Sequence, residues 1–149
     1  MRAVIQRVAS AEVTVDSIVV ARMQRGLLAL VGVAVGDRPE DADELARKLV
    51  GLRVFPDEVG RMERSLLEVQ GTLGVVSQFT LLANARKGRR PNYVAAAPPE
   101  HARPLVERVA TQAEALGVSV VTGRFGASMQ VHLINEGPVT LLLDTRDAF

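Results

Sequence analysis

The amino-acid sequence predicts one α/β (α+β) domain over residues 1–149, a mainly antiparallel or mixed, barrel-like β-sheet with two amphipathic helices packed on it. Three observations carry this. Segments of strand character recur from the first residues to the last, most of them short and bounded by Gly, Asp or Ser. One of them, LLALVGVAV at residues 27–35, is apolar without interruption, as a strand buried on both faces would be. Two longer stretches instead repeat their apolar residues at helical spacing. A chain of 149 residues has ordinary single-domain length and can bury a proper core. No repeat, low-complexity tract or linker divides it.

Residues 2–15 alternate, with Val4, Gln6 and Val8 on one side and Ile5 and Arg7 on the other, and Val13, Thr14 and Val15 continue as β-formers. Asp16-Ser17 is the turn that would return the chain along residues 18–23. After Gln24-Arg25-Gly26 comes the apolar run, broken by Gly36. Asp37 and Glu40 have the spacing of a capping box. The helix they would open carries Ala42, Leu45, Ala46, Leu49 and Leu52 on one face. Its acids (Glu40, Asp41, Asp43, Glu44) come early and its bases (Arg47, Lys48, Arg53) late, in accord with the helix dipole. Pro56-Asp57 and Gly60 predict a loop, and residues 73–79 a strand after Gly71. Residues 83–99 read as a polar connection. The second helix ends at Gly117 and presents Ala102, Leu105, Val106, Val109, Ala113 and Leu116 together, although Pro104 is uncomfortable beyond a first turn. Strands over 118–122, 129–135 and 139–144 complete the chain.

Composition removes several chemistries. With no cysteine, disulfides, thiolate metal sites and a Cys nucleophile are excluded. Two histidines cannot build a His-rich metal site, so neither metal nor cofactor is expected. The N-terminus lacks a signal-peptide core, and no apolar run approaches the ~20 residues that span a bilayer; a soluble, cytoplasmic protein without membrane contact is expected. A net charge of +1 leaves any RNA affinity to a local patch. His132 alternates with Val131 and Leu133 and reads as a polar residue on a strand face; His101 reads as solvated. There is no G-x-S-x-G, P-loop, H-E-x-x-H or dinucleotide fingerprint. An enzyme built this way needs backbone groups, hydroxyls or the substrate itself for its proton chemistry.

Three features remain, and the few aromatics (Phe79, Tyr93, Phe125) fall near them. SQFTL (Ser77, Gln78, Phe79, Thr80, Leu81) ends a predicted strand and offers hydroxyl and amide groups where loops commonly place reactive ones; ordinary edge-strand alternation would produce it equally well. NEGPVT puts Gly137 and Pro138 where a strand should continue, although both weaken strands. A trans turn is the default there, since only about 5–6% of X–Pro bonds are cis. ARKGRRPNY groups Arg86, Lys87, Arg89 and Arg90 around Gly88, which suits phosphate contacts, with Tyr93 available for stacking; a solvated basic loop is the plain alternative.

Taken together and in order, MRAVIQRV, GLLALVGV, GD, LRVF, SQFTL, RKGRRP, TGRFGASMQV and NEGPVTLLLDT resemble the D-aminoacyl-tRNA deacylase family, the chiral proofreaders of translation. The resemblance runs essentially end to end, and SQFTL followed some fifty-five residues later by NxGPVT is its specific part. It implies hydrolysis of D-aminoacyl-tRNA, and of mischarged glycyl-tRNA, by a homodimer. In such enzymes a Gly-cisPro motif, matched by Gly137 and Pro138, reaches into the partner's pocket and excludes L-amino acids. The SQFTL strand is similar to the opposite wall, which receives the 3′-terminal adenosine: Ser77 and Leu81 would bind substrate, and Gln78, Phe79 and Thr80 would stand at the reacting ester. Thr80 matches a threonine assigned to binding and orientation when the terminal ribose hydroxyl assists its own deacylation, and to the nucleophile in the other scheme. Phe125, Gly126 and Met129 match the pocket lining, and Arg86, Lys87, Arg89 and Arg90 would meet tRNA phosphates. An aminoacyl ester is already activated, so positioning and backbone donors are enough to cleave it.

The chain departs from the family pattern at Ser17, where glycine is common, at Glu63, where asparagine is usual, and at Gln70, which interrupts a glycine pair. Other readings are a non-catalytic RNA-binding module of translation that uses the Arg86–Arg90 loop, and a small-molecule hydrolase or dimeric scaffold sharing the fold. Neither gives NEGPVT a purpose.

Overall fold

A computed structural model describes residues 1–146. Strand β1 (Arg2–Val15) pairs with three neighbours. Along one edge its first half runs antiparallel to β3 (Gly26–Gly32) and its second half antiparallel to β2 (Ile18–Met23); β8 (Gln130–Asp144) lies antiparallel along the other edge. The β1–β2 turn forms without glycine: Asp16 and Ser17 take φ of 49° and 65°, the doubly left-handed turn whose twist suits a two-residue hairpin. Beyond β3 the sheet becomes parallel, through β6 (Thr72–Ser77) to β7 (Ser119–Thr122). Parallel neighbours need long crossovers. Here α1 (Pro39–Gly51) lies between β3 and β6, and α2 (Pro99–Ala115) between β6 and β7. The result is a six-stranded mixed sheet.

Both faces of that sheet bury apolar residues. Ala3, Ile5, Leu27, Ala29, Val31, Leu73 and Val75 meet α1 and α2, while Val8, Ala11, Val13, Ala21, Met23, Leu28 and Val76 form a second cluster on the concave face, where the sheet curls on itself. This makes the sheet barrel-like. Strand β1 serves both clusters because its pairing with β8 slips between Gln6 and Ser10, the local irregularity that lets a strand change which residues face inward. The helices bury the predicted faces, Ala42, Leu45, Ala46 and Leu49 in α1 and Ala102, Leu105, Val106, Val109 and Ala113 in α2. Arg108 grips Asp43 through two bonds of 2.7 and 2.9 Å, and this hydrogen bonding holds the Asp43 carboxyl below its ordinary pKa. No helix is long and apolar enough to cross a membrane among the described residues.

Several elements differ from the sequence expectation. Helix α1 starts one residue later: Arg38 is the N-cap, Pro39 takes the first helical position, and Asp41, not Glu40, accepts the cap N–H at 2.9 Å. Asp37 is buried instead. It accepts the Ala34 N–H at 2.6 Å and pairs with the Met1 ammonium and Arg146, each at 3.0 Å. The expected loop at residues 56–60 is the tip of a small hairpin, β4 (Phe55–Pro56) with β5 (Met62–Arg64). Helix α2 continues through Pro104, losing only the donor that would meet the Glu100 carbonyl. Leu116 falls just past the helix and is exposed, while Gly117 has the left-handed φ (101°) of a C-terminal stop. The last two predicted strands are one, β8, with residues 136–139 bulged out of it.

Candidate active site

Strands β3 and β6 end on the same side, the edge of a parallel sheet where α/β folds place their ligands. A cavity of about 510 Å³ opens there. Its walls are Val31 and Val33, the run Val76, Ser77, Gln78 and Phe79, the first turns of α2 (Pro99, Ala102, Val106), and Phe125, Gly126, Ala127, Met129 and Val131. Of the residues singled out from the sequence, Ser77, Gln78, Phe79, Phe125, Gly126 and Met129 therefore share one wall-to-wall site. Thr80, Leu81, Gly137, Pro138 and the four basic residues do not line it. None of the lining side chains is an acid, a base or a tyrosine.

SQFTL does not alternate as an edge strand. After Ser77 the chain tightens into a 3₁₀ turn, Phe79–Leu82. Gln78 N–H still reaches the Val31 carbonyl of β3 at 2.8 Å, so the turn is anchored at its first residue. Gly32 is what lets it sit so close. A Cβ there would lie 2.6 Å from Leu82 Cδ2, 2.9 Å from the Gln78 carbonyl oxygen and 3.1 Å from Leu81 Cβ. From below, Arg2 donates to the Leu81 carbonyl at 3.0 Å and to Asp144 at 2.9 Å, tying the turn to the end of β8. The exposed Phe79 meets Tyr93 edge to face, with ring centroids 5.1 Å apart. The exposed Thr80 hydroxyl accepts a hydrogen bond from the Gln78 amide. His101 is engaged elsewhere, its Nε2 2.8 Å from the Asp37 carbonyl oxygen. His132 lies opposite Glu12 on the far side of β1, in a separate shallow groove.

The basic residues Arg86, Lys87, Arg89 and Arg90 are all exposed on a loop. Paired backbone bonds between Asn84 and Asn92 (2.9 and 3.0 Å) close its base. Since the loop leaves from the 3₁₀ turn and returns to Tyr93, which packs on Phe79, its positive charge and the cavity share one edge of the molecule.

NEGPVT is a bulge held from two sides. Gln6 faces Thr140 and Val8 faces Asn135, so one intervening residue of β1 opposes four of β8, residues 136–139. Asn135 pinches this bulge shut. Its Oδ1 accepts from Val139 N–H at 2.8 Å, and its Nδ2 donates to the Val139 carbonyl and the Thr140 hydroxyl, each at 3.1 Å. Arg7 braces the other side, donating to the Glu136 carbonyl at 2.9 Å and the Val54 carbonyl at 2.7 Å. The Gly137–Pro138 peptide is cis, and both residues are exposed. Sequence reasoning did not assign roles to Gly32, Arg2, Arg7 or Asn135. Two of them carried a signal: Gly32 as a glycine inside an otherwise apolar strand, and Asn135 as the first residue of NEGPVT.

Comparison with known proteins places this architecture. The D-Tyr-tRNA(Tyr) deacylase family model matches residues 4–144. A D-aminoacyl-tRNA deacylase of Roseiflexus castenholzii is 57% identical over 145 residues, covering 97% of this chain and 92% of the relative. Another, of Thermosipho africanus, is 50% identical over the full length of both chains. Among solved structures, the c-Myc DNA unwinding element binding protein superposes with a TM-score of 0.92 at 36% identity, covering 97% of this chain and 99% of the other. A probable eukaryotic D-amino acid tRNA deacylase superposes at 0.82 with 17% identity over 95% of this chain and 97% of the other, a likeness of fold. The chain belongs to the D-Tyr-tRNA(Tyr) deacylase family.

Proposed function

We propose that this protein hydrolyses the ester bond of D-aminoacyl-tRNA, and of glycyl-tRNA, in the cytoplasm, sparing L-aminoacyl-tRNA. The observation that carries the reading is a cavity beside a basic loop whose lining includes no titratable side chain. A site of that kind suits an activated ester that needs positioning more than acid–base help. Ser77, Phe79, Phe125, Gly126 and Met129 would receive the terminal adenosine, with Leu81 behind them. Arg86, Lys87, Arg89 and Arg90 would hold the phosphates. The first amides of the 3₁₀ turn, at Phe79 and Thr80, have no acceptor one turn back and are the donors available to a developing oxyanion. Gln78 and Thr80 would orient the ester, and the terminal ribose hydroxyl of the tRNA would assist its own cleavage.

Selection against L-residues would fall to Gly137 and Pro138, supplied by a second copy of the chain. Two features support a homodimer. The bulge bearing them lies outside the cavity of its own chain. The long strand β8 pairs only with β1 among the described residues, and it exposes Ile134 and Leu142, apolar surface beside an open edge that a second copy would cover. Steric exclusion needs no contact with the D-residue's own side chain, so one filter would serve many D-amino acids.

The direct test is turnover of D-Tyr-tRNA and L-Tyr-tRNA side by side, with deacylation followed by loss of labelled amino acid from the tRNA. Cleavage of the D-ester alone is expected. Equal cleavage of both, or binding without cleavage of either, removes the proposal; the second result would favour an RNA-binding module. Thr80→Ala then separates the two chemistries. Among the described residues its hydroxyl has only an amide partner, so the variant should keep kcat within about tenfold of the parent, whereas loss of a true nucleophile costs about 10⁴ or more.

A further inference from the structure

We propose that Arg103 is a phosphate-binding residue at the cavity rim, gripping the phosphodiester that joins the last two nucleotides of the tRNA. The inference rests on the aminoacyl-tRNA reading above and adds to it a cation outside the Arg86–Arg90 loop. Arg103 lies on α2 between Ala102 and Val106, both of which line the cavity. Its guanidinium carbon stands 5.1 Å from the centroid of the Phe125 ring, another lining residue. A guanidinium stacked on an aromatic ring keeps the N–H donors around its edge free for a planar, bidentate grip on an oxyanion.

No carboxylate of the described residues neutralises it. Among the described residues Arg103 forms no ion pair with Glu100 or with Glu107 one helical turn on, whereas Arg108 on the same helix is gripped by Asp43. An arginine without an ion-pair partner among the described residues, held over a ring that walls a cavity lacking acids and bases, suits an anionic ligand. The basic loop leaves from the 3₁₀ turn that begins at Phe79, another lining residue, so a polyanionic strand whose last base enters the cavity would meet positive charge from two segments of the chain. The terminal phosphodiester is the anion closest to such a base.

Arg103→Leu and Arg103→Glu test this on two substrates, D-Tyr-tRNA and D-tyrosyl-adenosine, which carries the same ester and base but no phosphate. One lost phosphate contact on a single strand flattens the log–log salt dependence by about 0.7, equivalent to a roughly fivefold rise in KM at about 0.1 M salt. That rise is expected for Arg103→Leu with D-Tyr-tRNA, larger for Arg103→Glu, and partly restored in Arg103→Lys, with no comparable rise for D-tyrosyl-adenosine. Affinity for uncharged tRNA, followed by fluorescence anisotropy, should fall by the same factor and reports on Arg103 even if the wild-type protein cleaves no D-ester. Equal losses on both substrates would mean that Arg103 merely packs Phe125. Unchanged KM, salt slope and tRNA affinity would equally overturn the assignment.

Discussion

Gly137→Ala is expected to lower turnover of D-Tyr-tRNA by about a hundredfold while leaving the protein folded. Gly137 has φ 141°, a conformation that L side chains rarely adopt and that costs about 1–3 kcal/mol to impose. The space is also taken. A Cβ would lie 2.8 Å from Val139 Cγ2, 3.0 Å from Val139 N and 3.1 Å from Arg7 Nη2. Two of those neighbours are the braces of the bulge: Val139 N–H is held by Asn135 at 2.8 Å, and Arg7 is shared between the Glu136 and Val54 carbonyls. Alanine therefore has to move the bulge or break a brace. A displacement of about 1 Å at a positioning element costs on the order of 10² in rate. Both core clusters lie elsewhere, so circular dichroism should be unchanged and the melting temperature should fall by about 2–12 °C. The D-to-L ratio is the sharper readout. If Gly137→Ala keeps wild-type turnover and the wild-type ratio, stereoselection does not reside in this bulge.

How much of this was legible in the sequence depended on the range of the interaction. The alternation of β1, the apolar run of β3 and the buried faces of both helices follow from local periodicity, and they appear as expected except at their ends: β3 stops at Gly32, short of Val35, and Leu52 and Leu116 fall just past their helices. The 3₁₀ turn at Phe79–Leu82 does not follow from periodicity, because Ser77, Phe79 and Gln78, Thr80 alternate as a strand would. The turn depends on Gly32, forty-odd residues away, leaving room beside β3. Asp37 reads locally as a helix cap. It is buried because the Met1 ammonium and Arg146, at opposite ends of the chain, converge on it. NEGPVT was visible as a break in a strand, but not as a bulge, since its braces include Arg7 from β1. SQFTL and TGRFGASM reach one cavity only because β6 and β7 are parallel neighbours, a pairing that no short motif encodes. The exposed Arg103 lacked any motif at all; its meaning comes from Phe125, which the fold brings beneath it.

Gly32→Val should reduce deacylation as severely as Gly137→Ala, from the opposite wall. Its Cβ alone would stand 2.9 Å from the Gln78 carbonyl oxygen and 2.6 Å from Leu82 Cδ2. Leu82 has some freedom to turn aside, but the carbonyl belongs to the residue that anchors the 3₁₀ turn to β3 through its N–H. The turn must therefore lift, taking the Phe79 and Thr80 amides with it, and a lift of about 1 Å again costs on the order of 10² in kcat/KM. Gly32→Ala with Leu82→Ala separates the two contacts: if activity returns, the leucine was the obstacle, and if it stays low, the Gln78 carbonyl was. The two glycine variants together also test where the bulge acts. In a homodimer with the bulge supplied in trans, a mixed dimer holds one site built from the intact cavity of the Gly137 variant and the intact bulge of the Gly32 variant. Random re-pairing makes half the dimers mixed, each with one of its two sites whole, so co-refolding the two inactive proteins should recover roughly a quarter of wild-type activity. A bulge acting in cis would leave every site damaged, and the mixture would stay as inactive as its parts.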